Sequence, residues 1–452
     1  MNRDKTAGSA ILRWDERLFL GVYQFGMNVL FPPVLLALSP ILLLRRKRRT
    51  TLLPRLGFQR FPETTSLQVG TVQGSRKVLW VHALSVGEVL SVVPLIRELH
   101  PRIQPARLYL SVSTLSGCET ARAKLQGSVD GLFYFPLDLL FAVRRCFVNL
   151  EPSMVVLVET DIWPGFMAEL RRQGIPSFLI NARLSPSSFK RYGQAKRLFS
   201  PALNTFSRLY PQSATDAELL RKLGVDPEKL ADPGNLKFDA AKMASRSTNL
   251  EQIRAKLAIQ KGERVLVAGS THEGEEDILR AMFVQLRQSL HGLKLLVAPR
   301  HPHRAEEVRR VFMRDPFQVV FYSSLPQERF DVAVVDEFGV LGSLYEFGDI
   351  AYVGGSLVPK GGQNPVEPAA AGKPVLFGPD MSDFSDIADL MRKEGGAIQV
   401  NTGEEFAAEA YRLLSDSALS ARLGRKNRAL VERHSGVTSK IAKDILECLS
   451  KA

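Results

Sequence analysis

A glutamate in the first turn of a predicted helix is the residue of this chain best suited to acid-base chemistry. Glu88 closes the segment HALSVGE, which overlaps a strand-like run at residues 78–83, and an amphipathic helix is predicted over residues 89–99. The helix dipole favours the ionised carboxylate, and an ionised carboxylate can take the proton of an attacking hydroxyl group. An acid that only stabilises the helix would suit the same position.

Two other strand-like runs are followed by residues with suitable chemistry. Glu159, in the segment ETDIWPGF, comes directly after residues 154–158. Arg300, preceded by Pro299, follows residues 293–298 and is the best candidate for binding a phosphate group. Chemistry at the carboxyl ends of strands is typical of open parallel sheets, so we expect these residues to lie in one cleft.

Histidines near the same strand ends leave a metal site open to consideration. The possible ligands of such a site are His272, His301 and His303. No carboxylate or cysteine at matching spacing accompanies them, so no metal is expected. Lys237, in the segment GNLKFD, suits either a substrate contact or a solvated linker.

The segment GGSLVPKGGQNPVEPAAAGKPVLFGP, residues 354–379, predicts a loop and a helix start that could hold an anion. Asn364 can cap the helix, Pro365 can be its first residue, and Glu367 can reach back as in a capping box, with free amides facing the anion. The same residues would suit a capped helix without a ligand. The costly glycines ahead of the cap favour a ligand, namely Gly354, Gly355, Gly361 and Gly362.

The elements that must position these residues alternate between strands and helices in two successive halves. The strand-like runs are residues 78–83, 108–113, 154–158 and 177–180, then 265–268, 293–298, 319–322, 332–335, 350–353 and 375–377. The alternation predicts an α/β fold with two parallel, doubly wound sheets. Three domains are expected. Residues 1–50 are a membrane anchor with a basic flank, residues 51–235 contain the first sheet, and residues 236–452 contain the second sheet and the C-terminal helices.

Composition limits the partners. The 452 residues, 45% hydrophobic and 24% charged, indicate a globular protein, and the net charge of +13 calls for an anionic partner. Nucleic acid is not expected, because no basic run interleaved with aromatic residues occurs outside residues 45–49. The scattered cysteines, Cys118, Cys146 and Cys448, indicate a reducing compartment without structural disulfides.

The N-terminal segment favours a membrane. Residues 18–44 carry no charge and are followed by Arg45-Arg46-Lys47-Arg48-Arg49. As a helix they would measure about 40 Å against a hydrocarbon core of roughly 30 Å, and the charge after the run argues against a cleaved signal peptide. The positive-inside rule places the remainder in the cytoplasm. We expect a single span, although the prolines, Gln24 and Asn28 leave a helix pair or an interfacial segment open.

Taken together, the motifs resemble a known family. HALSVGE, ETDIWP, NARLS, GNLKFD, AGSTHEGEE, PRHP and GGSLVPKGGQNPVEP occur in the order found in the 3-deoxy-D-manno-octulosonic acid (Kdo) transferases of the lipopolysaccharide inner core. The resemblance implies a GT-B fold, CMP-Kdo as donor, a tetraacylated lipid A precursor as acceptor, and attachment to the cytoplasmic face of the inner membrane. It assigns residues 51–235 to the acceptor and residues 236–452 to the donor, and it leaves open the oligomeric state and the number of Kdo residues transferred.

The resemblance also assigns roles to residues. Glu88 matches the family's general base, which deprotonates the acceptor hydroxyl as CMP leaves with inversion. The residues that match the CMP contacts are Pro299, Arg300, Phe338, Gly339, Val340, Asn364, Pro365, Val366 and Glu367. Glu367 would bind the ribose hydroxyls. No cofactor or metal is expected, because Arg300 and the helix amides can stabilise the charge of the leaving CMP.

Two positions depart from the family pattern. The usual Met-Gly-Glu appears here as Phe338-Gly339-Val340, so an acid is missing at Val340. The change matters little if backbone groups make the contact, and it lowers donor affinity if the carboxylate does. Gly165 stands where the family commonly has Asn after Trp-Pro.

Other classes remain open on the sequence alone. Another GT-B glycosyltransferase or a nucleotide-sugar epimerase would share the two sheets. A non-enzymatic, basic, membrane-tethered binding protein would explain the charge and the anchor. It would not explain Glu88 and the glycine-rich loop at the ends of strands.

Overall fold

The chain folds into two compact units, each built on one parallel sheet. The computed structural model describes residues 12–44, 46–61, 77–245, 250–326 and 329–451. Unit 1 comprises Met1–Leu236 and Gly436–Ala452, and unit 2 comprises Lys237–Ser435.

The first part of the chain contains ten described helices and six strands, with a π-helix, Gly26–Leu30, between α1 and α2. They are α1 Trp14–Phe25, α2 Phe31–Leu44, α3 Arg46–Arg55, β1 Val78–His82, α4 Val86–Arg102, β2 Arg107–Val112, α5 Leu115–Leu125, β3 Gly131–Tyr134, α6 Leu140–Leu150, β4 Met154–Val158, α7 Pro164–Gln173, β5 Ser177–Ala182, α8 Pro186–Gln194, α9 Lys196–Leu203, β6 Arg208–Pro211 and α10 Ala214–Lys222.

The sheet of unit 1 has the strand order β3-β2-β1-β4-β5-β6, and all its strands are parallel. Every residue of β1 and β4 is buried, which explains why their sequences are continuous apolar runs. Trp80 of β1 packs in the core against four phenylalanine rings, those of Phe133, Phe135, Phe147 and Phe166. In chain order, β2 and β3 are added on one side of β1, and β4, β5 and β6 are then added on the other side of β1. The direction in which strands are added therefore reverses between β1 and β4.

The elements from Leu236 onward follow the same scheme. They are α11 Leu236–Ser245, α12 Leu250–Leu257, β7 Arg264–Thr271, α13 Glu275–Ser289, β8 Leu293–Pro299, α14 Ala305–Phe312, β9 Val319–Phe321, β10 Val332–Val334, α15 Leu341–Leu344, β11 Ile350–Val353, α16 Val366–Ala370, β12 Val375–Phe377, α17 Ser385–Lys393, β13 Ala397–Gln399, α18 Gly403–Ser415, α19 Ser417–His434 and α20 Val437–Lys451. The parallel sheet of unit 2 has the order β13-β12-β11-β7-β8-β10-β9, with its reversal between β7 and β11.

Every strand predicted from the sequence is present, with ends that differ by a few residues. The strands that were not predicted are β3, β6 and β13. Each lies at an edge of its sheet, has only three or four residues, and has at least one position that is not buried.

The last helix differs from the domain assignment made from the sequence, which placed it with residues 236–452. The structure packs α20 in unit 1, against α4. The Ser439 hydroxyl donates to Glu98 of α4 across 2.9 Å, and Lys440 pairs with Asp232 at 2.6 Å. The apolar face of α20, which includes Ile441 and Ile445, is fully buried. An apolar helical stripe alone does not tell which unit it covers, and this explains the difference.

The described part of the expected anchor is helical. The segment Trp14–Ala37 is long and apolar enough to cross a membrane, with a mean hydropathy of 1.4. Arg45 and the side chains of residues 46–49, which belong to the expected basic flank, lie outside the described residues.

Candidate active site

The carboxyl ends of β1 and β4 lie side by side where the connections of unit 1 reverse. The two strands are hydrogen-bonded neighbours, with His82 opposite Leu157. Glu88 in the first turn of α4 and Glu159 directly after β4 both line a concave site of about 230 Å³. The other residues lining it are Leu84, Thr160, Asp161, Arg183, Ser185 and Ser188. Doubly wound sheets bind ligands at such reversals, so this is the candidate active site of unit 1.

The carboxylate of Glu88 is held in place and nearly buried, at 8% exposure. The Leu84 backbone N–H donates to its Oε2 across 2.6 Å, and the Ser85 hydroxyl donates to its Oε1 across 3.3 Å. Desolvation by burial, followed by the negative charge of Glu159, raises the pKa of Glu88 to about 8. Burial therefore acts against the ionised form of Glu88, which the helix dipole was expected to favour. Burial outweighs the dipole.

Glu159 sits in a strained turn at the edge of the site. Its φ is 56°, in the left-handed region, and Asn181 at the end of β5 has a φ of 55°. The side-chain amides of Asn181 and Gln212 donate to Oε1 of Glu159 across 3.5 and 3.4 Å. Such strain persists only where the surroundings fix a residue, and it is concentrated at functional sites.

A buried histidine that was not predicted from the sequence lies beside the third acid of the site. Nε2 of His82 lies 3.5 Å from Oδ2 of Asp161, and Nδ1 lies 3.0 Å from both the carbonyl and the hydroxyl oxygen of Ser111. The ring also stacks on Phe135, with centroids 3.9 Å apart. The available signal was a histidine at the end of an otherwise apolar strand.

Gly165, which departs from the family pattern, has a structural reason. Asp138 accepts from the backbone N–H groups of Gly165 and Phe166, across 2.8 and 2.7 Å, and so caps α7. A Cβ at position 165 would lie 2.7 Å from Oδ1 of Asp138. Any side chain here would therefore collide with the capping carboxylate.

The residues expected to contact CMP follow neighbouring strands of unit 2. Arg300 follows β8, residues 338–340 follow β10, and residues 364–367 follow β11, in a sheet ordered β11-β7-β8-β10 at its centre. The positive charge of Arg300 contributes, after burial, to the lowered pKa of His272, which follows β7. All of these residues thus share the carboxyl edge of one sheet.

The glycine-rich loop after β11 is organised by a buried acid that the sequence analysis did not single out. Oε1 of Glu275 accepts from the backbone N–H groups of Ser356 and Leu357, at 3.0 and 3.1 Å, and from the Tyr352 hydroxyl at 2.5 Å. Its Oε2 accepts from the N–H groups of Gly355 and His272, at 2.8 and 3.0 Å. The only sequence signal was a pair of acids at the start of α13.

The glycines of this loop also have backbone roles. A Cβ at Gly354 would lie 2.4 Å from the Ser270 carbonyl oxygen, and Gly355, Gly361 and Gly362 have φ between +71° and +80°. Close strand-end packing and left-handed turns therefore account for the excess of glycine. Their density alone does not require a ligand.

The helix start at residues 364–367 is close to the prediction but one residue later. Asn364 accepts from the Val366 N–H across 3.1 Å, and Pro365 occupies the cap position of α16 instead of its first turn. Glu367 accepts from the Asn364 side-chain amide across 3.3 Å, whereas a capping box would use the backbone N–H. Since α16 has only five residues, its dipole is smaller than the sequence suggested.

The loop at Phe338 to Val340 lies near Glu367. Val340 caps α15 and its carbonyl accepts from Ser343 and Leu344, while Phe338 is 79% exposed. A Cβ at Gly342 of α15 would lie 3.9 Å from Oε2 of Glu367. Val340 has no carboxylate, but the carboxylate of Glu367 lies close to α15, the helix that follows Val340.

The histidines considered as metal ligands and Lys237 have other contacts. Across the described ranges, no group of three or more His, Cys, Asp or Glu side chains is arranged to hold a metal ion. The rings of His301 and His303 stack with centroids 5.4 Å apart. The Lys237 ammonium lies over the Phe384 ring, 4.9 Å from its centroid.

Comparison with known proteins identifies the family. A family model described as 3-Deoxy-D-manno-octulosonic-acid transferase (kdotransferase) matches residues 53–240. A 3-deoxy-D-manno-octulosonic acid transferase of Haemophilus influenzae is 32% identical over 367 residues, which are 80% of this chain and 85% of that protein. This chain belongs to the Kdo transferase family. The resemblance read from the motifs is confirmed, and the protein is a glycosyltransferase of lipopolysaccharide synthesis that transfers Kdo.

Other Kdo transferases cover similar lengths. The 3-deoxy-D-manno-octulosonic acid transferase of Rickettsia felis is 29% identical, over 78% of this chain and 75% of its own length. A probable mitochondrial 3-deoxy-D-manno-octulosonic acid transferase of Arabidopsis thaliana is also 29% identical, over 87% of this chain and 86% of its own length. A UDP-GlcNAc 2-epimerase of Neisseria meningitidis, at 15% identity, has a TM-score of 0.58 over 83% of this chain and all 100% of its own. A glycosyltransferase of Rickettsia africae, at 12% identity, has a TM-score of 0.53 over 84% and 99%. These structures show the GT-B fold alone, as the sequence predicted.

The contacts of Glu275 give a stability prediction. Glu275→Gln keeps the volume but turns a donating amide towards two backbone N–H groups, either those of Ser356 and Leu357 or those of Gly355 and His272. We expect the free energy of unfolding to fall by about 2–4 kcal/mol, since each buried donor left unpaired costs about 1–3 kcal/mol. Denaturant unfolding measures this. Glu273→Gln, exposed two residues away, is the control and should stay within about 0.5 kcal/mol of the parent. Equal stability of the two variants would contradict the assigned role.

Proposed function

We propose that this protein transfers Kdo from CMP-Kdo to a hydroxyl group of a tetraacylated lipid A precursor, lipid IVA, with inversion. The acceptor oxygen attacks the anomeric carbon of Kdo from the face opposite the phosphate. The new C–O bond forms as the bond to the CMP phosphate breaks, and the bonding electron pair leaves with CMP. Family membership supports Kdo transfer, and the motif resemblance at the unit 2 strand ends supports CMP-Kdo as donor.

The observation that carries this proposal is the buried carboxylate of Glu88 in the concave site of unit 1. Once deprotonated, Glu88 accepts the proton of the acceptor hydroxyl and later loses it to water. The negative charges of Glu159 and Asp161 raise the proton affinity of Glu88, because they disfavour a further charge nearby. A pKa close to the working pH suits a general base.

The donor residues are assigned by the resemblance and by their position at one sheet edge. Arg300, with Pro299 before it, would bind the CMP phosphate and stabilise the charge of the leaving group. Residues 364–367 would hold the nucleotide, with Glu367 on the ribose hydroxyls. At Phe338, Gly339 and Val340 the contact would come from backbone groups, because Val340 has no carboxylate. No metal is needed for this chemistry in our proposal.

The proposed location is the cytoplasmic face of the inner membrane, where a lipid acceptor is embedded. The apolar helix near the N-terminus and the basic residues 45–49 that follow it support membrane attachment. The reaction would then take a soluble donor from the cytoplasm and a lipid acceptor from the membrane.

The role of Glu88 is tested by Glu88→Gln. The amide cannot accept the hydroxyl proton, so we expect turnover to fall by roughly 100-fold or more while CMP-Kdo binding is nearly unchanged. Product formation from CMP-Kdo and lipid IVA, followed by mass spectrometry, measures turnover, and calorimetry measures binding. Glu98→Gln, on the same helix, is the control and should keep parent activity. A Glu88→Gln enzyme with parent turnover would remove Glu88 from the mechanism. UDP-sugars as donors should give no product.

The pH dependence follows from the raised pKa of Glu88. Because the base must be deprotonated, kcat/KM should rise with pH and level off above the Glu88 pKa of about 8. Glu159→Gln removes the negative charge that raises this pKa after burial, so the midpoint should move to lower pH. Asp161→Asn should move it less, because the Asp161 charge is a smaller cause. A midpoint that does not move in Glu159→Gln would contradict this electrostatic coupling.

Metal independence is tested by chelation. We expect Kdo transfer to continue unchanged in EDTA, because Arg300 and backbone amides stabilise the leaving phosphate in place of a cation. The assay is CMP release before and after EDTA treatment, then with added magnesium or manganese. Loss of turnover that either ion restores would show that a metal takes part.

A further inference from the structure

One face of the N-terminal helical segment is covered by unit 1. Among its partly covered residues, Leu12, Glu16, Leu20, Tyr23, Met27 and Phe31 recur every three or four positions, and Asp15, Gln24, Gly26, Asn28, Pro32 and Leu35 lie beside them. This face of α1 lies against α7 and α9, and Glu16 and Leu20 line a small cavity there with Pro164 of α7. The segment is therefore packed along unit 1.

The polar residues in the middle of the apolar run are bonded to unit 1. The Tyr23 hydroxyl donates to Oδ2 of Asp138 across 2.7 Å, and Asp138 is only 3% exposed. Oδ1 of Asn28 accepts from the backbone N–H of Leu140 across 2.7 Å. Both side chains, which would disfavour a lipid environment, thus have polar partners on the folded unit.

The opposite face of the segment is apolar and open. The large apolar side chains with at least 51% of their surface exposed are Trp14, Leu18, Val22, Phe25, Val29, Leu30, Val34 and Leu36, and Phe19 is 41% exposed. Phe141, which follows Leu140 on α6, is also 50% exposed. The apolar surface therefore runs along the helices and includes a residue of the unit beside them.

We propose that Trp14–Ala37 lies in the plane of the membrane surface and does not span the bilayer. Its apolar face would enter the lipid monolayer on the side where unit 1 lies. A spanning helix would need to carry Asp138 and Leu140 into the hydrocarbon, or to break both bonds and leave Tyr23 and Asn28 unpaired there. Lying in the plane keeps both bonds and still buries the apolar face.

Charge favours lipid over a second copy of the chain as the partner of this face. The uncharged run is followed directly by five basic residues at 45–49, which suit anionic lipid headgroups. Amphipathic helices of this kind lie about 5–10 Å deep at the boundary between headgroups and acyl chains. The inference rests on the proposed membrane location and replaces the single span expected from the sequence.

Thiol labelling from each side of the membrane tests this topology in the full-length protein. Cys448→Ser removes the partly exposed native thiol, and Arg13→Cys then places one at the start of α1. A control carries Glu119→Cys on unit 1. With a membrane-impermeant reagent we expect both thiols to react in inverted vesicles and neither in intact spheroplasts. Reaction of Arg13→Cys in spheroplasts, where Glu119→Cys stays unlabelled, would establish a span and overturn the proposal.

Depth measurements show what covers the apolar face. Nitroxides at Val22→Cys, Val29→Cys and Leu36→Cys should have similar, shallow depths in vesicles of equal parts phosphatidylethanolamine and phosphatidylglycerol. Depths that pass through the bilayer centre along the series would indicate a span. Labels that stay exposed to water, or become buried only in a dimer, would exclude the lipid partner. Neither result affects the Glu88→Gln test, so the two proposals fail separately.

Discussion

The site residues of both units depend on one constraint of parallel sheets, which is that each connection must return over a face of the sheet. Where successive connections depart in opposite directions, two neighbouring strand ends are left uncovered. In unit 1 these are the ends of β1 and β4, followed by Glu88 and Glu159. In unit 2 they are the ends of β7 and β11, followed by His272 and the glycine-rich loop. The strand order therefore determines the positions at which polar side chains can form a binding or catalytic site.

Within unit 1, differences in environment give the three acids different tasks. Glu88 is held under the first turn of α4 at 8% exposure, so desolvation dominates its proton affinity. Asp161 keeps 19% exposure and lies 3.5 Å from His82, and Glu159 has amide donors from Asn181 and Gln212. The negative charges of these two neighbours disfavour ionisation of Glu88 and so raise its pKa further. The pKa that suits Glu88 to the proposed role of general base therefore depends on its neighbours as well as on its own burial.

The sequence predicted what is encoded locally and missed what long-range contacts decide. Central strands such as β1 and β4 were predicted because burial on both faces requires continuous apolar residues, whereas the edge strand β13 has no such requirement. Glu88 was found because its motif and its helix position coincide in sequence. The role of Glu275 was missed because the loop amides that it binds lie 80 to 82 residues away. Backbone packing and left-handed φ angles, which are also long-range or conformational features, account for the glycines of this loop.

Asp138 connects the N-terminal helical segment with the candidate site, and its position explains the glycine at 165, which departs from the family pattern. Its carboxylate accepts from the Tyr23 hydroxyl and from two N–H groups at the start of α7, the helix that follows Asp161. The carboxylate can lie over this helix end only because position 165 is glycine. An asparagine there would displace Asp138 and break the cap, and the tyrosine would lose its partner in the same step. Gly165 therefore helps to keep Tyr23 of the N-terminal helix bonded to Asp138. Replacing Gly165 by a larger residue would disturb both that helix and the turn that carries Asp161.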